Sequence, residues 1–235
     1  AESAQARAEH AEALAQVGLV AGGVAHEIRN PLGVILAEAK LLERSGADAE
    51  SVATIRAQVA RAGKFVDELL YYAKPRPPEP SDFDAAVAVR EGAGLAAKTI
   101  DGADSRLHVE AGKPLTLHAD RAALVEVVRN LVSNALIATE KAGAAVRVGV
   151  NDVDGRLQVT VEDDGPGVPP ALAPRLFEAF ATGRGRDERH PGVGLGLALC
   201  ARHVRTHGGT IRHERPALGG ARFVVDWPKS LERGN

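Results

Sequence analysis

Apolar positions in the N-terminal third of the chain recur by threes and fours. Leu14, Val17, Ala21, Val24, Ile28, Leu32, Ile35, Ala39 and Leu42 form one series, and Val52, Ile55, Val59, Ala62, Val66 and Leu69 form a second. A step near 3.5 residues draws one stripe along a helix that packs on another helix. Ser45-Gly46-Ala47-Asp48 separates the two series, so the pattern predicts a helical hairpin. Two helices alone leave much of each stripe uncovered. Pairing two hairpins into a dimeric four-helix bundle covers it, which predicts a homodimer.

Lys74-Pro75-Arg76-Pro77-Pro78-Glu79-Pro80 then ends any helix and reads as a semi-rigid linker. The expected division is 1–73, a linker at 74–80, and a second domain at 81–230. Beyond the linker the periods mix. Residues 85–97 read as a helix, 106–111 and 115–119 as strands, and Asp120 as the N-cap of a helix to about Lys141. Residues 146–150 and 157–162 alternate as strands paired around Asp154-Gly155. A helix at 195–207 precedes Gly208-Gly209, and 210–215 with 221–227 close as a hairpin. The expected class is α+β: the helical hairpin, then an α/β sandwich.

Composition narrows the chemistry. The 235 residues carry 29 Lys+Arg against 31 Asp+Glu, a formal charge of −2, which argues against a basic nucleic-acid surface. Hydrophobic residues make up 45% and aromatic residues 3%, so the core must be mostly Ala, Leu and Val. One cysteine, Cys200, excludes an intrachain disulfide and a cysteine zinc cluster, and its apolar neighbours suggest a buried, inert thiol. The longest apolar run, residues 18–25, is far short of the ~20 residues that span a bilayer, so no membrane contact is expected. Methionine is absent even at position 1, and the chain is expected to be a piece of a longer protein.

Four constellations carry candidate chemistry. In His26-Glu27-Ile28-Arg29-Asn30-Pro31 the imidazole lies off the apolar stripe, beside Gly22, Arg29, Asn30 and Gly33. Glu27 could orient one ring nitrogen or take its proton, leaving the other nucleophilic; Asn30 could hold water or a phosphoryl oxygen. The alternative is a solvated helix face. The run H-E-x-x-N lacks the second histidine of a zinc site, and Pro31 suggests a kink after His26. Asn130 and Asn134, at i and i+4, offer amide oxygens suited to Mg²⁺ beside phosphates, or are surface amides. Asp163-Asp164-Gly165-Pro166-Gly167 follows an alternating strand; it holds a carboxylate that could accept from an exocyclic amine, or is an ordinary turn. Gly192-Val193-Gly194-Leu195-Gly196-Leu197 opens a helix whose N–H groups suit phosphates, or is a flexible lid without ligand. No strand precedes it, which excludes a Rossmann site, and no P-loop pattern occurs.

The order of these runs resembles the transmitter module of two-component sensor histidine kinases, over about 200 residues from Leu19 to Pro228. His26 to Leu32 resembles the H box, Asn130 to Asn134 the N box, and Asp163 to Gly167 the G1 box. Leu176-Phe177-Glu178-Ala179-Phe180 resembles the F box, and Gly192 to Leu197 the G2 box. His207-Gly208-Gly209 and the run from Phe223 to Pro228 resemble the family's closing segment. The resemblance implies a dimerisation and histidine-phosphotransfer hairpin followed by an ATP-binding domain of the GHKL (Bergerat) type.

It further implies an ATP-dependent kinase that phosphorylates His26 and passes the phosphoryl group to an aspartate of a response-regulator receiver domain. Glu27 would be the base, and Asn30 would position water for phosphatase action on that partner. Asn134 would bind Mg²⁺ with support from Asn130, and Asp163 would read the adenine amine. Gly165, Gly167, Phe180, Gly192, Gly194, Leu195 and Gly196 would shape the ATP pocket and lid. The Lys and Tyr that often follow the N box are absent from Asn134-Ala135-Leu136-Ile137-Ala138, as in the nitrogen-regulation-type branch, so Arg184 or Arg186 would supply the cation. The module is expected to be cytoplasmic, whether or not the whole protein is membrane-anchored. Two other readings are a phosphotransfer adaptor with an inactive nucleotide domain and a GHKL-type ATPase. The second would need a catalytic Glu where Asn130 stands, because an amide cannot take a proton from water.

Overall fold

The computed structural model describes residues 28–73, 77–100, 102–140, 143–181, 194–216 and 219–230. Two compact units divide the chain, Ala1–Arg76 and Pro77–Asn235.

The first unit is a helical hairpin. Helix α1 covers described residues 28–44 and runs uninterrupted through Pro31; α2 covers Ala49–Ala73. Gly46, at φ +81°, lets the chain turn, and the Ala47 N–H returns to the Leu42 carbonyl at 3.1 Å. Asp48 restarts the helix by accepting the Ser51 N–H at 2.8 Å; hydrogen bonds from the Ser51 side chain and then its backbone hold the carboxyl below the usual range. Ala39, Val52 and Val66 are buried between the helices, while Arg29–Asp67 and Arg56–Glu43 pair across them. The single α1 stripe read from sequence splits in two. Leu32 and Ala39 turn inward, whereas Ile28, Ile35 and Leu42, seven residues apart, stay 39%, 45% and 44% exposed.

The second unit runs β1 (Ser81–Asp84), α3 (Ala85–Ala97), β2 (Leu107–Ala111), β3 (Thr116–Ala119), α4 (Arg121–Thr139), β4 (Val146–Val153), β5 (Arg156–Asp163), a 3₁₀ turn (Ala173–Arg175), α5 (Gly196–Thr206), β6 (Thr210–Glu214) and β7 (Ala221–Pro228). Five strands form a sheet in the order β2-β4-β5-β7-β6; only β2–β4 is parallel. Alternation decides its faces. On β5, Leu157, Val159 and Val161 are buried, and Gln158, Thr160 and Glu162 are half-exposed. The buried face shares one core with Val89 of α3, Leu124, Leu131 and Leu136 of α4, and Val204 of α5; Trp227 is fully buried in it. The polar face carries the ion pairs Arg147–Asp164 and Arg222–Glu162.

Asp84 and Asp120 cap α3 and α4, accepting from Ala86 and Ala123 at 2.9 and 3.0 Å. By length and composition α4 could cross a membrane, but 61% of that window is buried in the core. Strand β1, which the sequence reading leaves out, pairs antiparallel with β3.

Candidate active site

Helix α4 is the common floor. Asn130, Asn134 and Ala138 succeed one another at i, i+4 and i+8, along about 12 Å of one face. Asn130 is buried, and its amide donates to Glu126 Oε1 at 3.1 Å; Glu126 is itself paired with Arg129. The amide oxygen faces the start of α5: a carbon added at Gly196 would lie 3.8 Å from Asn130 Oδ1. Asn134, one turn on, is half-buried.

The first turn of α5 begins at buried Leu195, and no described side chain caps it. Its N–H groups and the positive end of the helix dipole are suited to an anion. Just before it, Gly194, at φ +78°, lies flat against Phe180 and accepts the Phe180 N–H at 3.0 Å. Phe180 is itself left-handed, at φ +64°, and 48% exposed. Buried Leu176 and the edge-on Phe177–Phe223 pair, 6.4 Å between centroids, anchor the segment that presents it.

At the far end of the same α4 face stands Asp163. It continues the buried parity of Leu157, Val159 and Val161, so β5 delivers a carboxylate where a fourth apolar residue would sit. Only 3% exposed, it accepts the Gly165 N–H at 2.9 Å. Burial pushes its carboxyl above the ordinary range, against the pull of backbone N–H groups of Gly165 and Ala221. Gly165 packs on α4: a carbon added there would lie 3.4 Å from the Ala138 carbonyl oxygen. Neighbouring Asp164 behaves oppositely, because its hydrogen bonds to Arg147 hold its carboxyl down.

The described residues thus bring Asn130, Asn134, Gly165 and Gly196 onto or against α4, with Asp163 joined through Gly165, and with Leu195, Gly194 and Phe180 following from Gly196. Gly167 lies in the turn after Gly165, at φ +74°. His26, Glu27, Arg184, Arg186 and Gly192 lie outside the described residues. Asn30 is exposed on α1.

Two supports escape the sequence reading. Buried Arg106 donates to the Leu136 carbonyl at 3.2 Å and to Thr139 Oγ1 at 2.9 Å, capping the negative end of α4 where Gly165 rests. The Gly219-Gly220 turn backs onto Asp163. A Gly-Gly pair ahead of a strand signals a turn, but not which residue it meets. Behind the floor, burial pushes the Cys200 thiol well up and lowers His203 to about 4, so His203 is neutral at pH 7.

Among the described residues, no group of three or more His, Cys, Asp and Glu converges on a metal position. The amide oxygens of the Asn130–Asn134 pair are hard donors and fit a Mg²⁺ that takes its remaining ligands from phosphates and water.

Comparison with known proteins accounts for both units. Residues 16–78 match the model of the His Kinase A (phospho-acceptor) domain. Residues 119–231 match that of the histidine kinase-, DNA gyrase B-, and HSP90-like ATPase. The sensor protein KdpD of Escherichia coli K12 is 33% identical over 215 residues, 88% of this chain and 24% of its own. A crystal structure of full-length ShkA in complex with AMPPNP superposes at TM-score 0.75 and 27% identity, covering 92% of this chain and 47% of that one. ThkA, in complex with the response regulator protein TrrA, superposes at TM-score 0.65 and 27% identity, covering 99% of this chain and 67% of ThkA. The chain spans a quarter of KdpD and about half of ShkA. With a phospho-acceptor domain and an ATPase domain in this order, the chain belongs to the sensor histidine kinases and carries their transmitter module.

Proposed function

We propose that this module binds ATP with Mg²⁺, phosphorylates His26, and passes the phosphoryl group to an aspartate of a response-regulator receiver domain. The α4 face carries the reading. A buried carboxylate at one end and an uncapped helix N-terminus at the other are separated by about two helical turns. That span is on the scale of a nucleoside diphosphate laid from base to phosphates. Asp163 would accept from the exocyclic amine, and the first turn of α5 with Gly194, Leu195 and Gly196 would take the phosphates. Mg²⁺, held by Asn134 with support from Asn130, would neutralise phosphate charge.

On the hairpin, an imidazole nitrogen of His26 attacks the γ-phosphorus, the bond to the ADP oxygen breaks, and Glu27 takes the imidazole proton. Asn30, exposed on α1, is suited to orient water toward a partner's phospho-aspartate. The ThkA–TrrA complex supports a receiver domain as that partner. Exposed Ile28, Ile35 and Leu42 support a second hairpin packed as a homodimer. The absent Lys and Tyr after the N box favour the nitrogen-regulation-type branch, with Arg184 as the lid cation. A cytoplasmic setting follows from ATP as donor.

The test is incubation of the full chain with γ-labelled ATP and Mg²⁺. The reading expects protein-bound label that is lost in acid and kept in base. Absent or acid-stable label overturns it.

A further inference from the structure

We infer that Gly220, in the turn ahead of β7, is a positioning residue for Asp163, an inference that rests on the adenine role proposed above. Strands β5 and β7 pair up to Asp163 opposite Ala221, so the turn entering β7 ends beside the Asp163 backbone. Both glycines of that turn are left-handed, at φ +95° for Gly219 and +83° for Gly220.

Their surroundings differ. A carbon added at Gly219 would meet nothing within 4 Å. A carbon added at Gly220 would overlap the Asp163 carbonyl oxygen, and would lie 2.9 Å from the Asp163 carbonyl carbon and 3.3 Å from Asp164 Cα. Gly220 is also close to the turn after Asp163, where a carbon at Gly167 would lie 2.7 Å from the Gly220 carbonyl oxygen. The turns at 164–167 and 219–220 are therefore stacked backbone to backbone. Asp163 is fixed between them, with Gly165 N–H on its carboxylate and Gly220 behind its carbonyl.

Any side chain at 220 must push the Asp163 backbone by more than about 1 Å to reach ordinary contact. A shift of that size takes a carboxylate out of good hydrogen-bond geometry with the amine it would accept from. The pair of glycines supplies its own control. Alanine at either position meets the same left-handed backbone penalty, but only at 220 does it strike the backbone that carries the adenine acceptor.

The experiment compares ADP with inosine diphosphate, in which a carbonyl oxygen replaces the exocyclic amine. Both affinities are measured by calorimetry on the full chain, for wild type, Gly219→Ala, Gly220→Ala and Gly167→Ala. A role confined to stability would lower both affinities together and leave their ratio unchanged. Wild type should prefer ADP by roughly ten- to a hundredfold, the range expected of one charge-assisted hydrogen bond. Gly219→Ala should keep that preference, and Gly220→Ala should lose most of it. Gly167→Ala, which presses on the Gly220 backbone that abuts Asp163, should also reduce it, and decides the matter if Gly220→Ala does not fold. Full preference in Gly220→Ala, or in Gly167→Ala where it must stand in, overturns the inference alone, as does equal loss in Gly219→Ala. A wild type that does not discriminate overturns the adenine reading, and the inference with it.

Discussion

Replacing Asp163 by Asn should weaken nucleotide binding without weakening the fold. The wild-type carboxylate is 3% exposed, with Oδ1 committed to the Gly165 N–H at 2.9 Å. An asparagine oxygen turned toward the Gly165 and Ala221 N–H groups can keep both as partners, but its NH₂ then occupies the other position and meets a donor amine with a donor. One charge-assisted hydrogen bond is lost, about 1.5–3 kcal/mol, or roughly ten- to a hundredfold in ADP affinity. Stability moves the other way. Burial raises the Asp163 carboxyl above its ordinary value, so the folded state holds its proton more tightly than the unfolded chain does. Wild-type stability from this group is then greatest below the unfolded value, near pH 4, and falls as pH rises through the folded value. Asparagine does not titrate and escapes that loss. The nucleotide-free variant should therefore melt at or above the wild-type temperature at pH 7–8, with the advantage vanishing near pH 4. Calorimetry with ADP and thermal melting without it are the assays. Unchanged ADP affinity refutes the adenine role, and a lower melting temperature at pH 7–8 refutes the electrostatic reasoning.

Two further outcomes are expected. Glu27→Ala should cut autophosphorylation by ~10²–10⁴-fold, the usual yield of a general base, while Asn30→Ala should spare it and slow dephosphorylation of a phosphorylated receiver domain; single-turnover labelling and receiver decay separate them, and joint loss of both activities in Asn30→Ala refutes the division. Burial lowers His203 to about 4 despite opposing Glu126, so the unfolded chain binds the extra proton first and stability should fall by of order 2–3 kcal/mol as pH drops from about 6.5 toward 4; denaturant unfolding of His203→Gln should show a shallower pH slope, and an equal slope refutes the assignment.

What could be read from the sequence depended on whether its cause was local. Asp163 was legible because a period of two runs unbroken from Leu157 and hands it the buried parity. Asn130 and Asn134 were legible because i, i+4 spacing fixes a shared face on any helix, and the Asp120 cap because it acts within three residues. The Gly220–Asp163 contact was not legible, because it joins segments brought together only by the β5–β7 ladder. Arg106 was hidden for the same reason: its partners on α4 lie 30 and 33 residues away. Strand β1 is held by pairing with β3, and Ser81-Asp82-Phe83-Asp84 holds a single apolar residue, so no alternation reveals it. The α1 stripe was legible as a helical row but not in how it divides, because steps of three and four suit both an inward row at Leu32 and Ala39 and an outward row at Ile28, Ile35 and Leu42, the part that two helices alone leave uncovered.

The central claim is that ATP delivers its γ-phosphoryl group to one histidine of this chain. Its most direct test is to label wild type and His26→Gln with γ-labelled ATP and Mg²⁺, and to map the label by mass spectrometry under neutral conditions. The account predicts phosphohistidine at His26 in wild type, and no acid-labile label in His26→Gln, which still binds ADP with wild-type affinity. Acid-labile label of wild-type extent in His26→Gln, or label mapped to another residue, would contradict it.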